Sequence, residues 1–145
     1  MRHQSFRPTP GPARRFAAMG YDAILLIAVL WVAALPLPLL AEATRQMFWP
    51  LLAIRVYLLI TGFLFFGWFW VHGGQTLGMR AWRVRVTRFD GAALNWSDAG
   101  VRFLCAGLSW ACGGLGFVWV WFDRDGYAWH DRLSKTRLLI VPKRT

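Results

Sequence analysis

The chain reads as an all-α membrane protein. The expected fold has two transmembrane helices, a third apolar region folded as a kinked or re-entrant helical hairpin, and a small cytoplasmic two-stranded β ribbon. Three observations predict it. Hydrophobic residues make up 57% of the 145 residues and charged residues only 17%, against about 25% charged in a soluble domain. Two apolar stretches, about 14–35 and 51–71, reach the roughly 20 residues that a helix needs to cross a bilayer. The 17 basic residues, set against 7 acidic ones, gather at the ends of the apolar runs and not on a polar domain of their own.

That placement decides what the net charge of +10 means. A nucleic-acid-binding chain should carry its basic stripe on a separate polar face with exposed stacking aromatics. Here the arginines are placed to orient the chain and to meet anionic lipid headgroups, so the lipid bilayer is the expected partner and nucleic acid is not. The length admits one domain. Cys105 and Cys112 stand seven residues apart, about 10 Å along a helix and too far for a disulfide. His3, His72 and His130 are scattered, so no metal or other cofactor is expected. Ala41-Glu42-Ala43 resembles a leader cleavage site, but the run before it is too long for a leader and contains Asp22, and the N-terminus is read as retained.

Residues 1–13 hold three prolines, a glycine and two arginines and are expected to be a mobile cytoplasmic tail. The first span runs from about Arg14 to Leu35 and is stopped by Pro36 and Pro38, which cannot continue a helix. Glu42 to Gln46 supplies the turn. Pro50 suits the first position of the second span, about 51–71. Trp49 at one end and Trp68 and Trp70 at the other suit the two interfaces. Arg55 lies about a turn inside this span, where it snorkels outward or pairs with Glu42; the outward reading is favoured. Gly73-Gly74 ends the span. The stretch 82–88, Trp-Arg-Val-Arg-Val-Thr-Arg, alternates with the period of a strand, and Asp90-Gly91 is a turn. Residues 137–141 form a second β-type run, expected to pair with the first because an isolated strand leaves backbone groups unsatisfied.

The third apolar region, about 98–122, opens with Ser97 as N-cap and with Asp98 and Arg102 as a four-residue ion pair. Its Cys112-Gly113-Gly114-Leu115-Gly116 segment places three glycines where a straight helix would be costly. Charge favours a hairpin there over a single span. Arg2, Arg7, Arg14 and Arg15 in the tail, Arg80, Arg83, Arg85 and Arg88 in the 73–98 loop, and Arg124, Arg132, Lys135, Arg137, Lys143 and Arg144 at the C-terminus all belong in the cytoplasm. An odd number of spans would put the last group outside. Non-helical backbone at that depth must be buried in protein, so the turn should pack on the first two spans.

Arg15-Phe16-Ala17-Ala18 with Asp22, Gly74-Gln75-Thr76-Leu77-Gly78-Met79-Arg80, Trp82-Arg83-Val84-Arg85-Val86 and Trp129-His130-Asp131-Arg132-Leu133-Ser134-Lys135-Thr136 follow one another in order. Together they resemble the RDD family of small bacterial integral membrane proteins, over residues 14–145. The resemblance implies a multi-pass protein of the bacterial inner (plasma) membrane with its N-terminus in the cytoplasm. It makes Arg15, Asp22 and Asp131 the arginine and two aspartates that name the family. Met79 stands where a lysine is common. Transport, including cation/proton antiport, has been suggested for some members.

Arg15 and Asp22 lie seven residues apart, within about 20° on one helix face. A carboxylate within an apolar run is a functional-site candidate by default. In one reading Asp22, with Arg15 as its nearby counter-charge, exchanges a proton or cation; in the other it is a polar anchor bonded to neighbouring helices. Asp131 is within reach of Arg15 and would clamp the C-terminal segment to the first span. No nucleophile or metal cluster accompanies His130 and Asp131, so no catalytic residue is expected and the chain is not read as an enzyme. Gly74-Gln75-Thr76-Leu77-Gly78 lacks the Gly-Lys-Ser/Thr ending of a phosphate loop and is read as the exit from the second span. Two functions follow: homo-oligomeric cation/proton transport using Asp22, or a non-transporting assembly or interaction protein. The second would recruit a membrane protein partner or anionic lipid at its basic cytoplasmic face.

Overall fold

The structure is a computed structural model that describes residues 9–43 and 50–142. Helix α1 (Pro12–Ala34) begins on a proline, whose missing N–H costs nothing in a first turn. It starts two residues ahead of the expected Arg14. Pro10 is buried and its carbonyl accepts a hydrogen bond from Arg15 Nε at 3.2 Å, so the described end of the expected tail, residues 10–13, is docked and turns helical at Pro12. Residues 1–8 of that tail lie outside the described residues.

The expected stop at Pro36 and Pro38 is only an interruption. The chain turns at Leu35-Pro36 and resumes as α2 (Leu37–Ala43). Pro38 falls in the first turn of α2, where no intrahelical partner awaits its nitrogen. Glu42 of the expected turn 42–46 is therefore helical, and residues 44–49, with Trp49, lie outside the described residues. Helix α3 (Pro50–Val71) packs on α1, and Tyr57 near its start donates to the Ala33 carbonyl at 3.2 Å. The stretches Pro12–Leu39 and Leu51–Val71 are long and apolar enough to cross a membrane. Their outer faces expose Ile24, Ile27, Trp31, Leu59 and Leu64, and Arg55 is exposed among them.

After α3 the chain reverses at Gly74, which has φ +67° and would place a Cβ 2.6 Å from the Val86 carbonyl oxygen. The short α4 (Leu77–Ala81) is capped by Thr76, whose hydroxyl accepts from Met79 N–H at 3.2 Å. Strand β1 (Val84–Arg88) pairs antiparallel with β2 (Thr136–Ile140), Val84 facing Ile140 and Arg88 facing Thr136. Both strands depart slightly from expectation. Trp82 and Arg83 form a turn with Arg83 at φ 54°, although Val141 N–H still reaches the Arg83 carbonyl at 2.8 Å. Val84 and Val86 bury one face of the ribbon, as the alternation requires.

Helix α5 (Trp96–Ala111) is capped by Asn95 and not by the expected Ser97. Asn95 Oδ1 accepts from Asp98 N–H at 2.8 Å while the Asp98 carboxylate accepts from Asn95 N–H at 3.1 Å, a reciprocal capping box. The helix ends at Cys112, and Gly113 and Gly114, at φ 68° and 81°, turn the chain into α6 (Leu115–Val118) and a 3₁₀ turn, Trp119–Trp121. The two arms meet at 106°, a broken span or a re-entrant loop. Helix α7 (Trp129–Leu133) then leads into β2. The core gathers Ala18, Trp70, Met79, Val84, Val86, Leu94, Ala99 and Leu138 where the start of α1, the end of α3, the ribbon and the start of α5 converge. Phe63 locks α3 to α5, edge-on to Phe103 at 5.5 Å and to Trp96 at 6.0 Å. The molecule is thus mostly helical, with two to three candidate spans and one small sheet.

Candidate functional site

Two buried carboxylates organise the polar interior. Asp22 projects from the face of α1 that also carries Arg15 and Ala18, all three buried. One of its oxygens accepts from the Thr76 hydroxyl, and the other accepts from the Gly78 backbone N–H at 2.8 Å. Such an approach of α4 to α1 requires a glycine. A Cβ on Gly78 would collide with the Ala18 carbonyl oxygen and lie 2.8 Å from the Asp22 carboxyl carbon. The Gly-Gln-Thr-Leu-Gly segment is therefore a docking element: Gln75 Nε2 donates to the Val84 carbonyl at 2.7 Å and ties the same turn to the ribbon.

Asp131 is fully buried at the start of α7. Its Oδ2 accepts from Arg15 Nη1 at 2.7 Å and from Ala128 N–H at 3.1 Å; its Oδ1 accepts from Arg102 Nη1 at 2.7 Å. Arg102 also donates to the Thr136 hydroxyl at the head of β2, and its guanidinium stands over the Trp70 ring at 5.3 Å. Burial alone would raise the carboxyl pKa, but the positive charges of Arg102 and Arg15 outweigh it and hold the group well below the usual carboxylate range. Burial drives neighbouring His130 the other way, down to about 4 against the pull of Asp131, so its imidazole is neutral at neutral pH. One carboxylate thus joins the start of α1, the start of α5 and the α7–β2 segment.

The spacing argument placed Arg15 and Asp22 on one face, and both are buried there. It also paired them. That pairing is not formed: Arg15 turns to Asp131, 116 residues away, and Asp22 takes its donors from α4 and the turn before it. The expected Asp98–Arg102 pair is likewise absent. Asp98 is committed to the α5 cap and stands 3.8 Å from Arg88 Nε, which frees Arg102 to face inward. Arg102, Thr76 and Gly78 were missed as parts of these centres. The available signal was the position of Arg102 inside an apolar run, where a charge needs a buried partner.

A model of the RDD family matches residues 9–135, most of the chain. The chain belongs to the RDD family. No curated protein and no solved structure matches it. Family membership and the apolar helices together point to a membrane protein. In this RDD protein Arg15 and Asp131 meet in one buried centre and Asp22 sits in another. Among the described residues no group of three or more His, Cys, Asp or Glu side chains is placed to hold a metal ion. An apolar groove of about 330 Å³, lined by Leu115, Val118, Trp119, Phe122 and Trp129, carries no titratable side chain.

Proposed function

We propose that this RDD protein is a non-transporting assembly protein of the bacterial inner membrane, multi-pass, with its N-terminus and basic loops in the cytoplasm. The observation that supports it is the engagement of both buried carboxylates. Asp22 is held by the Thr76 hydroxyl and the Gly78 backbone N–H, and Asp131 by two arginines and a backbone N–H. A carrier must release its donors to exchange a proton or cation, and here those donors also shape α4 and the α7–β2 segment. The working surface is then the exposed basic and aromatic edge of Arg80, Trp82, Arg83 and Arg85, beside the ends of α1 and α3. Its chemistry suits an anionic headgroup layer, with each arginine near such a surface contributing about 1 kcal/mol. The exposed apolar faces of α1 and α3 would take lipid or a second copy of the chain. Cation-dependent proton flux in proteoliposomes tests the reading. The native protein is expected to give none; flux that Asp22→Asn abolishes would establish the carrier instead.

A further inference from the structure

Among the described residues, the centre around Asp131 is one negative charge short. Arg15 and Arg102 are 5% and 4% exposed and share a single carboxylate, while the adjoining His130, 7% exposed, is uncharged at neutral pH. A buried positive charge without its own counter-charge is costly, and natural cores pair such groups. Hydrogen bonding shows the same shortfall. Arg15 Nη2, Arg102 Nε and His130 Nδ1 are buried and have no hydrogen-bond partner among the described residues, although other nitrogens of the same three side chains surround Asp131 at 2.7, 2.7 and 3.5 Å. Buried donors are ordinarily satisfied. Two unsatisfied guanidinium donors beside one surplus positive charge describe a receptor for an anion, and the neutral His130, whose Nε2 faces Asp131, offers Nδ1 as an acceptor for a phosphate hydroxyl.

We infer that the Arg15–Arg102–His130 cluster binds a phosphate group, either as free phosphate or as the headgroup of an anionic phospholipid. Guanidinium forks match the oxygens of phosphate, and two of them contribute here. Place favours the same chemistry. Arg15 lies in the first turn of α1, at the polar end of a stretch apolar enough to span a bilayer, and α7 and β2 lie outside both candidate spans. The bound phosphate would complete the charge balance of the junction joining α1, α5 and the C-terminal segment, so phosphate or lipid would stabilise the assembled fold. The inference rests on the cluster alone and holds whether or not the protein transports; only its lipid arm rests on the membrane reading.

The test is thermal unfolding of the delipidated protein in neutral detergent at constant ionic strength, with chloride as the background anion. Inorganic phosphate, phosphatidylglycerol and phosphatidylcholine are titrated separately. The native protein is expected to show a saturable rise in Tm of about 5 °C, as binding to the folded state alone requires. A rise with inorganic phosphate identifies the free anion; a rise with phosphatidylglycerol alone, and not phosphatidylcholine, identifies the lipid. Arg102→Gln, which removes the surplus charge, should abolish the rise, and Arg124→Gln, an exposed arginine outside both the cluster and the ribbon edge, should retain it. Should Arg102→Gln fail to fold, His130→Phe carries the comparison. It keeps a ring against Phe117, now 4.9 Å from His130, but removes the Nδ1 acceptor for a phosphate hydroxyl, and its phosphate midpoint should weaken at least five-fold. No rise in the native protein with any of the three ligands, an equal rise in Arg102→Gln, or an unchanged midpoint in His130→Phe would overturn the inference.

Discussion

Replacing Gly78 by alanine should be far more damaging than one methyl group suggests. The added Cβ would fall on the Ala18 carbonyl oxygen and 2.8 Å from both Cγ and Oδ1 of Asp22. None of these atoms is the end of a flexible chain. Ala18 O belongs to helical backbone and the Asp22 carboxyl is held by Thr76 and Gly78 itself. Relief therefore requires α4 to move off α1, with two consequences. Overpacking of this kind costs about 1–3 kcal/mol, and a buried acceptor deprived of its donor costs about 1–3 kcal/mol more. The expected loss is about 2–6 kcal/mol, or a fall in Tm of about 10 °C near the middle of that range. The assay is thermal unfolding of the detergent-solubilised protein by circular dichroism, with Gly107→Ala as reference. Gly107 is also helical and exposed, and a Cβ there meets nothing within 4 Å, so the change should be neutral or stabilising by up to about 1 kcal/mol. A Gly78→Ala protein as stable as the native one would show that α4 does not approach α1 in this way and would remove the basis for the Asp22 contacts.

Three further outcomes are expected. Arg15→Ala and Asp131→Asn should each destabilise, the second by about 3–5 kcal/mol because it leaves two buried guanidiniums without a counter-charge; in a double-mutant cycle they should be strongly non-additive, and additive effects would refute the pair. His130 has a folded pKa of about 4, below its ordinary 6.5, so its contribution is fully present above pH 6.5 and declines by about 3 kcal/mol as pH falls to 4. Asp131, also depressed, loses its contribution only below the ordinary carboxylate pKa; His130→Phe should flatten a stability–pH profile between pH 4 and 6.5, and an unchanged slope would exclude the assignment. Deleting residues 136–145 removes β2, uncovers Val84 and Val86 and takes Thr136 from Arg102. That protein should aggregate on size-exclusion chromatography, and a monodisperse product would contradict the ribbon's role.

Features that depend on local periodicity were legible in the sequence. Two apolar helices, the alternation through Val84 and Val86 and the bend at Gly113-Gly114 all express repeats or backbone preferences within a few residues. Partners were harder to read, because they depend on which distant segments meet. Asp98 lies four residues before Arg102, an arrangement that favours a pair on an isolated helix. In the folded chain Asn95 and Asp98 satisfy each other's backbone groups, and a fully buried carboxylate 29 residues on offers Arg102 a stronger partner. Pro36 and Pro38 look like a stop, but a helix can restart around a proline in its first turn. Asp22 and Arg15 do share a face, yet sharing a face does not make a pair when each side chain has a closer donor or acceptor on another element. Thr76 and Gly78 sit in a segment whose composition marks only a turn, and their role follows from the approach of α4 to α1.

Asp22 acts as a polar staple between α1 and α4, and paired substitutions at that position reveal whether it does. Asparagine keeps one oxygen to accept from Gly78 N–H and an amide that can donate to the Thr76 hydroxyl, so both contacts survive with one reversed. Leucine has similar size and leaves both neighbours unsatisfied in a buried site. The measurement is Tm of Asp22→Asn and Asp22→Leu beside the native protein under identical detergent and pH. Asp22→Asn should lie within a few degrees of native, and Asp22→Leu should fall by about 10 °C or fail to fold. An Asp22→Leu protein as stable as native would contradict the staple and return Asp22 to the list of side chains kept for another purpose.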